Sequence, residues 1–158
     1  MILTDAVDIP LADIEATGRL GAALSEGLRS GEVILLSGPL GAGKSVLARA
    51  LIRALTSPDE EVPSPTFTLV QFYETEPPIA HFDLYRLEGE GEALEIGLEE
   101  ALDQGAALVE WPSRIGPQEW ARLTPDRLSV ELSHAGEGRI ARLTPAGAWK
   151  GRRLEFRP

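Results

Sequence analysis

Gly38-Pro39-Leu40-Gly41-Ala42-Gly43-Lys44-Ser45 is the stretch that decides the fold. A loop that grips a triphosphate must turn several backbone N–H groups inward, and glycine alone combines the required φ/ψ angles with so close an approach. Gly38, Gly41 and Gly43 supply that backbone, and Ala42 and Val46 complete the cradle. Lys44 stands where an ammonium reaches the β- and γ-phosphates, Ser45 where a hydroxyl ligates Mg2+, and the following helix N-terminus favours the anion. Upstream, Val33-Ile34-Leu35-Leu36 is a short all-apolar run of the kind buried on both faces of a parallel sheet. Downstream, Ser45 to Leu55 sets Val46, Leu47, Ala50, Leu51, Ala54 and Leu55 against Arg49 and Arg53, as an amphipathic helix does. Strand, glycine loop and helix in that order predict a P-loop that binds a nucleotide.

Further out, Ile14, Leu20, Ala23, Leu24 and Leu28 recur at near-helical spacing, so Leu11 to Arg29 reads as a helix capped by Gly31. Ser57 to Pro65 holds three prolines and three acidic residues and reads as an exposed loop. Phe67 to Tyr73 and Ile79 to Tyr85, rich in aromatic and β-branched residues, predict an antiparallel hairpin. Glu92 to Leu102 predicts a helix ended by Gly105, and Ala106 to Val109 a second buried parallel strand that stops at Glu110-Trp111-Pro112. Leu128 to Leu132 and Arg139 to Leu143 flank Gly136-Glu137-Gly138 and predict a last hairpin. The expected architecture is one three-layer α/β P-loop NTPase domain over 1–158, with a central mainly parallel sheet and added antiparallel hairpin strands.

Composition narrows the function. With no cysteine, disulfides, thiolate metal sites and a cysteine nucleophile are excluded. The first ten residues carry Asp5 and Asp8 and lack the basic start of a signal peptide; the longest apolar run is far too short to span a bilayer, so the expectation is a cytoplasmic protein with no membrane. A net charge of −10 argues against a chain that coats nucleic acid by itself. The charge is uneven, however: from Glu137 to Pro158 there are six basic and two acidic residues. A solvated tail and an RNA or protein contact are both open readings of that stretch.

A hydrolytic P-loop protein needs an acidic residue at the end of a neighbouring buried strand to hold magnesium, directly or through water. Glu110, after Ala106-Ala107-Leu108-Val109, and Asp83, after Ile79-Ala80-His81-Phe82, compete for that position, and Glu110 follows the cleaner strand. His81 reads as a structural histidine rather than a proton shuttle. Ser64-Pro65-Thr66-Phe67 falls where nucleotidases place a γ-phosphate sensor, so Thr66 is a candidate contact to nucleotide or metal. Trp111 fits either a core aromatic or a ring beside the site.

The P-loop, Ser64-Pro65-Thr66-Phe67, His81-Phe82-Asp83-Leu84-Tyr85-Arg86-Leu87 and Val109-Glu110-Trp111-Pro112 occur in that order, and together they resemble the TsaE (YjeE) family of bacterial ATPases. The similarity runs from about Thr17 to about Trp111-Pro112. That family is needed to make threonylcarbamoyladenosine on tRNA. The resemblance implies that ATP and Mg2+ are the cofactors, that Lys44 binds phosphate, and that Ser45 and Glu110 hold the metal. It further implies that Asp83 is needed for hydrolysis, that Thr66 sits in a nucleotide-responsive loop and that Trp111 belongs to the active-site motif. The implied partners are the TsaD and TsaB proteins, with tRNA reached through that assembly. Pro39 stands where the family more usually has aspartate, and Ser45 where it usually has threonine, whose hydroxyl does the same work.

Two rivals have sequence tests. A P-loop small-molecule kinase would need a lid carrying arginines over the phosphates, and Glu88 to Asp103 holds seven acidic residues and no basic one. A GTPase would need an Asn-Lys-x-Asp motif, which a chain without asparagine lacks.

Overall fold

The structure is a computed structural model that describes residues 1–65, 68–87 and 97–157. Among them, seven strands form one sheet in the order β2-β8-β7-β3-β6-β5-β4. In chain order these are β2 (Val7–Leu11), β3 (Val33–Ser37), β4 (Val70–Tyr73), β5 (Ile79–Asp83), β6 (Ala106–Glu110), β7 (Arg127–Ala135) and β8 (Gly138–Pro145). The middle of the sheet is parallel, with β3 between β6 and β7 and β5 beside β6. The antiparallel additions are the hairpins β4–β5 and β7–β8 and the outer strand β2. A separate short ladder pairs β1 (Ile2–Leu3) with β9 (Arg152–Arg153).

Alternation on the buried strands gives each face of the sheet its own core. Ile34 and Leu36 of β3 join Leu20 and Leu24 of helix α1 (Ile14–Gly27) and Leu47 and Leu51 of helix α2 (Lys44–Leu55). Val33 and Leu35 point the other way, toward Leu98 and Leu102 of helix α3 (Leu98–Gln104) and Trp120 of helix α4 (Pro117–Leu123). Helices therefore cover both faces of a mixed α/β sheet. Close packing of α1 on α2 depends on Gly21, where a Cβ would lie 2.5 Å from the Leu47 carbonyl oxygen.

The N-terminal region departs from expectation. Leu11 ends strand β2 instead of opening a helix, and α1 begins at Ile14 behind an Asp13 cap whose side chain accepts the Ala16 N–H at 2.8 Å. Its end also comes early, at Gly27, with Leu28 as the cap. Gly31 instead turns the chain into β3 at φ 84° and donates its N–H to Gly105. The expected hairpin forms in register Val70↔Phe82 to Tyr73↔Ile79, but its second strand stops at Asp83, before Tyr85. The helix expected over Glu92 to Leu102 begins only at Leu98, because Gly97 is its left-handed N-cap at φ 87°; Gly105 caps its end as expected, and Glu92 to Ile96 lie outside the described residues. The last hairpin and the Ser57–Pro65 loop are as expected.

Candidate functional site

The sharp turn after β3 creates the site. Gly38, Gly41 and Gly43 take φ of 144°, 78° and 106°, the region that disfavours any side chain, and a Cβ on Gly38 would stand 2.5 Å from the Leu132 carbonyl oxygen of β7. The chain then enters α2 at Lys44, so the first N–H groups of that helix open beside the loop. Lys44, Ser45 and Val46 line a cavity of about 420 Å3 together with Asp83, Glu110 and Trp111. Ala42 is buried just behind the loop.

Lys44 is 7% exposed, and its ammonium donates to the Gly38 carbonyl and lies 4.0 Å from the centre of the Trp111 ring. Burial pushes its pKa below the ordinary value, and the charges of Glu110 and Asp83 act in the opposite sense. Trp111 itself has φ 58°, and Tyr85 packs against it with ring centres 4.9 Å apart. Arg114 caps Tyr85 at 5.5 Å from the ring. Trp111 is thus a ring beside the site, set there by a left-handed residue immediately after β6.

The two competing carboxylates turn out to be neighbours. Parallel register places Asp83 opposite Glu110 at the ends of β5 and β6, each 6% exposed. Asp83 accepts the Tyr85 N–H at 3.0 Å, and Glu110 is bonded to His81 at 2.8 Å. A hydroxyl at Ser45 and carboxylates at Glu110 and Asp83 are hard oxygen donors, the chemistry a small divalent cation takes. No group of three or more His, Cys, Asp or Glu among the described residues could hold a metal. Such a donor set suits a cation that shares its shell with a bound phosphate, as Mg2+ does.

A second cavity, of about 470 Å3, opens on the other side of the glycine loop. Asp13, Ile14 and Thr17 from the start of α1 and Arg139 from β8 line it with Gly43 and Val46. Sequence reasoning missed these residues because tertiary packing alone brings their elements to the loop: α1 by its close contact with α2, and β8 by its pairing with β2 and β7. Thr66 lies outside the described residues, whereas Ser64 of the same motif lines the first cavity.

The basic C-terminal stretch is not a solvated tail. It forms β8 and β9, and three of its arginines find partners in the chain: Arg142 on Asp8 at 2.7 Å, Arg152 on Glu32 at 2.5 Å, and Arg139 on the Gly41 carbonyl at 3.0 Å. Among the described residues no helix is long and apolar enough to cross a membrane.

Fold and site together define a mixed α/β protein whose glycine loop, between a central buried strand and a helix, faces carboxylates on the two next parallel strands. Its family follows from comparison. The profile described as "Threonylcarbamoyl adenosine biosynthesis protein TsaE" matches residues 11–142, and the chain belongs to the TsaE family of tRNA threonylcarbamoyladenosine biosynthesis. It is 41% identical over 152 residues to the tRNA threonylcarbamoyladenosine biosynthesis protein TsaE of a Nostoc species, covering 92% of this chain and 90% of that one. The protein of the same name from Rickettsia felis is 37% identical over 126 residues, 79% of this chain and 71% of the relative. Among solved structures, Bacillus subtilis YdiB superposes with a TM-score of 0.70 at 25% identity, covering 93% of this chain and 90% of that one.

Proposed function

We propose that this protein is a single-domain, Mg2+-dependent P-loop ATPase that supports threonylcarbamoyl transfer to adenosine in tRNA, acting with TsaD and TsaB proteins. The observation that carries the reading is the convergence of Lys44, Ser45, Asp83 and Glu110 on one cavity beside the glycine loop. In this reading the backbone of Gly38, Gly41, Ala42 and Gly43 and the N-terminus of α2 wrap the phosphates. Lys44 leaves the Gly38 carbonyl for the β- and γ-oxygens, Ser45 and Glu110 hold the cation, and Asp83 orients the attacking water. Bound Mg2+ would neutralise charge on the phosphate oxygens. The second cavity, past Val46, takes the base and sugar, with Thr17 and Arg139 as the polar contacts.

Turnover by the isolated chain should be slow, because the described site offers no arginine fixed over the phosphates. Arg86 follows the Asp83 strand end, and Arg114 is engaged by Tyr85. The acidic stretch Glu88 to Asp103 supplies the docking face for a basic surface of the assembly. Glu99 and Glu100 are exposed on α3, while Glu95 lies outside the described residues. A steady-state ATPase titration with purified TsaD and TsaB at two salt concentrations tests the reading: stimulation should appear and should weaken with salt and with Glu99→Lys. Full activity of the isolated chain, unchanged by the partners, would overturn the accessory role. Phosphoryl transfer to a small-molecule acceptor in place of water would favour a kinase.

A further inference from the structure

His81 presents a buried polar ring where an apolar side chain would pack. It is 2% exposed on a strand whose neighbours Ile79, Ala80 and Phe82 all belong to the two cores. Its face of the sheet is the one shared with Ile79, toward α2, because side chains alternate along β5. On β6 the register sets Leu108 beside His81 and Glu110 beside Asp83, so Glu110 is the diagonal neighbour of His81 on that same face. The imidazole Nε2 and the Glu110 Oε2 are 2.8 Å apart. A carboxylate only accepts, so the hydrogen belongs to Nε2. Nδ1 is buried without a partner among the described residues.

These contacts single out one purpose for the ring. A histidine kept for stability satisfies both nitrogens, commonly with backbone groups. Here, among the described residues, the ring's one hydrogen bond goes to the carboxylate at the edge of the site. We infer that His81 is a positioning residue: it fixes the Glu110 carboxylate through Oε2, leaves Oε1 as the oxygen available to a ligand, and thereby sets the affinity of the site for its divalent cation. Ser45, His81 and Glu110 border one small cavity of about 30 Å3, which places the hydroxyl, the carboxylate and its orienting ring in a single cluster. Mg2+ demands near-ideal octahedral geometry, so an unfixed carboxylate is a poor ligand even when present. The inference rests on the reading of Glu110 as a cation-holding carboxylate, and the experiment separates the two.

The probe is Mn2+, followed by electron paramagnetic resonance as it binds the full chain in the presence of ADP. ADP affinity in EDTA and thermal melting are measured alongside. His81→Gln carries an amide N–H to the position of Nε2, whereas the amide of His81→Asn ends near Nδ1, short of Glu110. His81→Phe removes the donor while keeping the ring. The expected result is a loss of Mn2+ affinity of about 10- to 100-fold in the Phe and Asn variants. His81→Gln should recover most of it, and metal-free ADP affinity should be unchanged throughout. If the Phe variant does not fold, the Asn and Gln pair decides. Equal Mn2+ affinity in all three variants, with Glu110→Gln weakened, overturns the inference and spares the reading of Glu110. Unchanged Mn2+ affinity in Glu110→Gln overturns both. Parallel losses in the Gln and Asn variants, accompanied by lower metal-free ADP affinity, would make His81 merely structural and also overturn the inference.

Discussion

Two cationic side chains are buried at opposite ends of β3, and the chain treats them oppositely. Arg152 meets Glu32, the residue before the strand, with both guanidinium nitrogens at 2.5 and 2.8 Å, and it further donates to the Gly27 and Ala148 carbonyls. Its plane stacks on Trp149 at 4.1 Å. Lys44, beyond the other end, is also buried, yet among the described residues its ammonium has a neutral carbonyl and an aromatic face in place of a paired carboxylate. One charge is bonded through both terminal nitrogens to a carboxylate and two carbonyls, and it serves the fold. The other is held by groups that can release it, and the lowered pKa records its incomplete solvation. A paired carboxylate marks the structural charge here, and its absence beside Lys44 among the described residues leaves that ammonium for a ligand.

The comparison breaks most visibly at Arg152. Arg152→Met leaves Glu32 buried without its counter-charge and should lower unfolding free energy by about 3–5 kcal/mol in a denaturant titration. Adding Glu32→Gln should recover much of that loss, and ATP affinity below the transition should not change. A melt like that of the parent chain would show that the fork is dispensable. At Lys44 the expectation inverts: Lys44→Ala should weaken ATP binding by about 100-fold in calorimetry without lowering the melting temperature. Unchanged affinity in the folded variant would sink the phosphate-loop reading.

The carboxylates at the other strand ends sharpen the contrast. Asp83→Asn should spare nucleotide binding and cut hydrolysis by about 100- to 10,000-fold, while Glu110→Gln should chiefly reduce the Mg2+ dependence of binding. The converse pattern would exchange their roles. A smaller effect follows from the Lys44 pKa, which is below 10.5 in the free protein. Phosphate favours the charged ammonium and so raises that pKa, which means ATP affinity should decline as pH rises through the lowered value. Binding there should take up protons, measurable by calorimetry in buffers of different ionisation heat, and Lys44→Ala should abolish the uptake. The smallest effect belongs to the exposed Arg142–Asp8 pair, where Arg142→Ala should leave stability and binding within error.

The central parts of this molecule were legible because their signals are local. The Val33–Leu36 run declared a strand buried on both faces, and three glycines ahead of Lys44 declared the turn. Asp83 and Glu110 were each visible as strand-end carboxylates, but only parallel register sets them side by side. The same holds for His81, whose composition reads as structural until Glu110 is found against it. Strand β2 was missed because its partner β8 lies far along the chain and because Leu11 also fits the apolar spacing of the helix that follows. The C-terminal arginines looked like free positive charge, since Asp8 and Glu32, their partners, are remote in sequence. Thr66 lies outside the described residues.

The close contact between Gly38 and the Leu132 carbonyl also bears on how the protein is made. The central strand β3 is flanked by β6 and β7, both of which come later in the chain. During synthesis the glycine loop therefore leaves the ribosome long before the strand that braces it, and such non-local pairing is slow to form. A nascent chain stalled ahead of β7 would carry the whole nucleotide motif and still lack the wall that shapes it. Nucleotide capture should switch on only when the β7–β8 hairpin closes, so the motif written early in the chain becomes a working site late in translation.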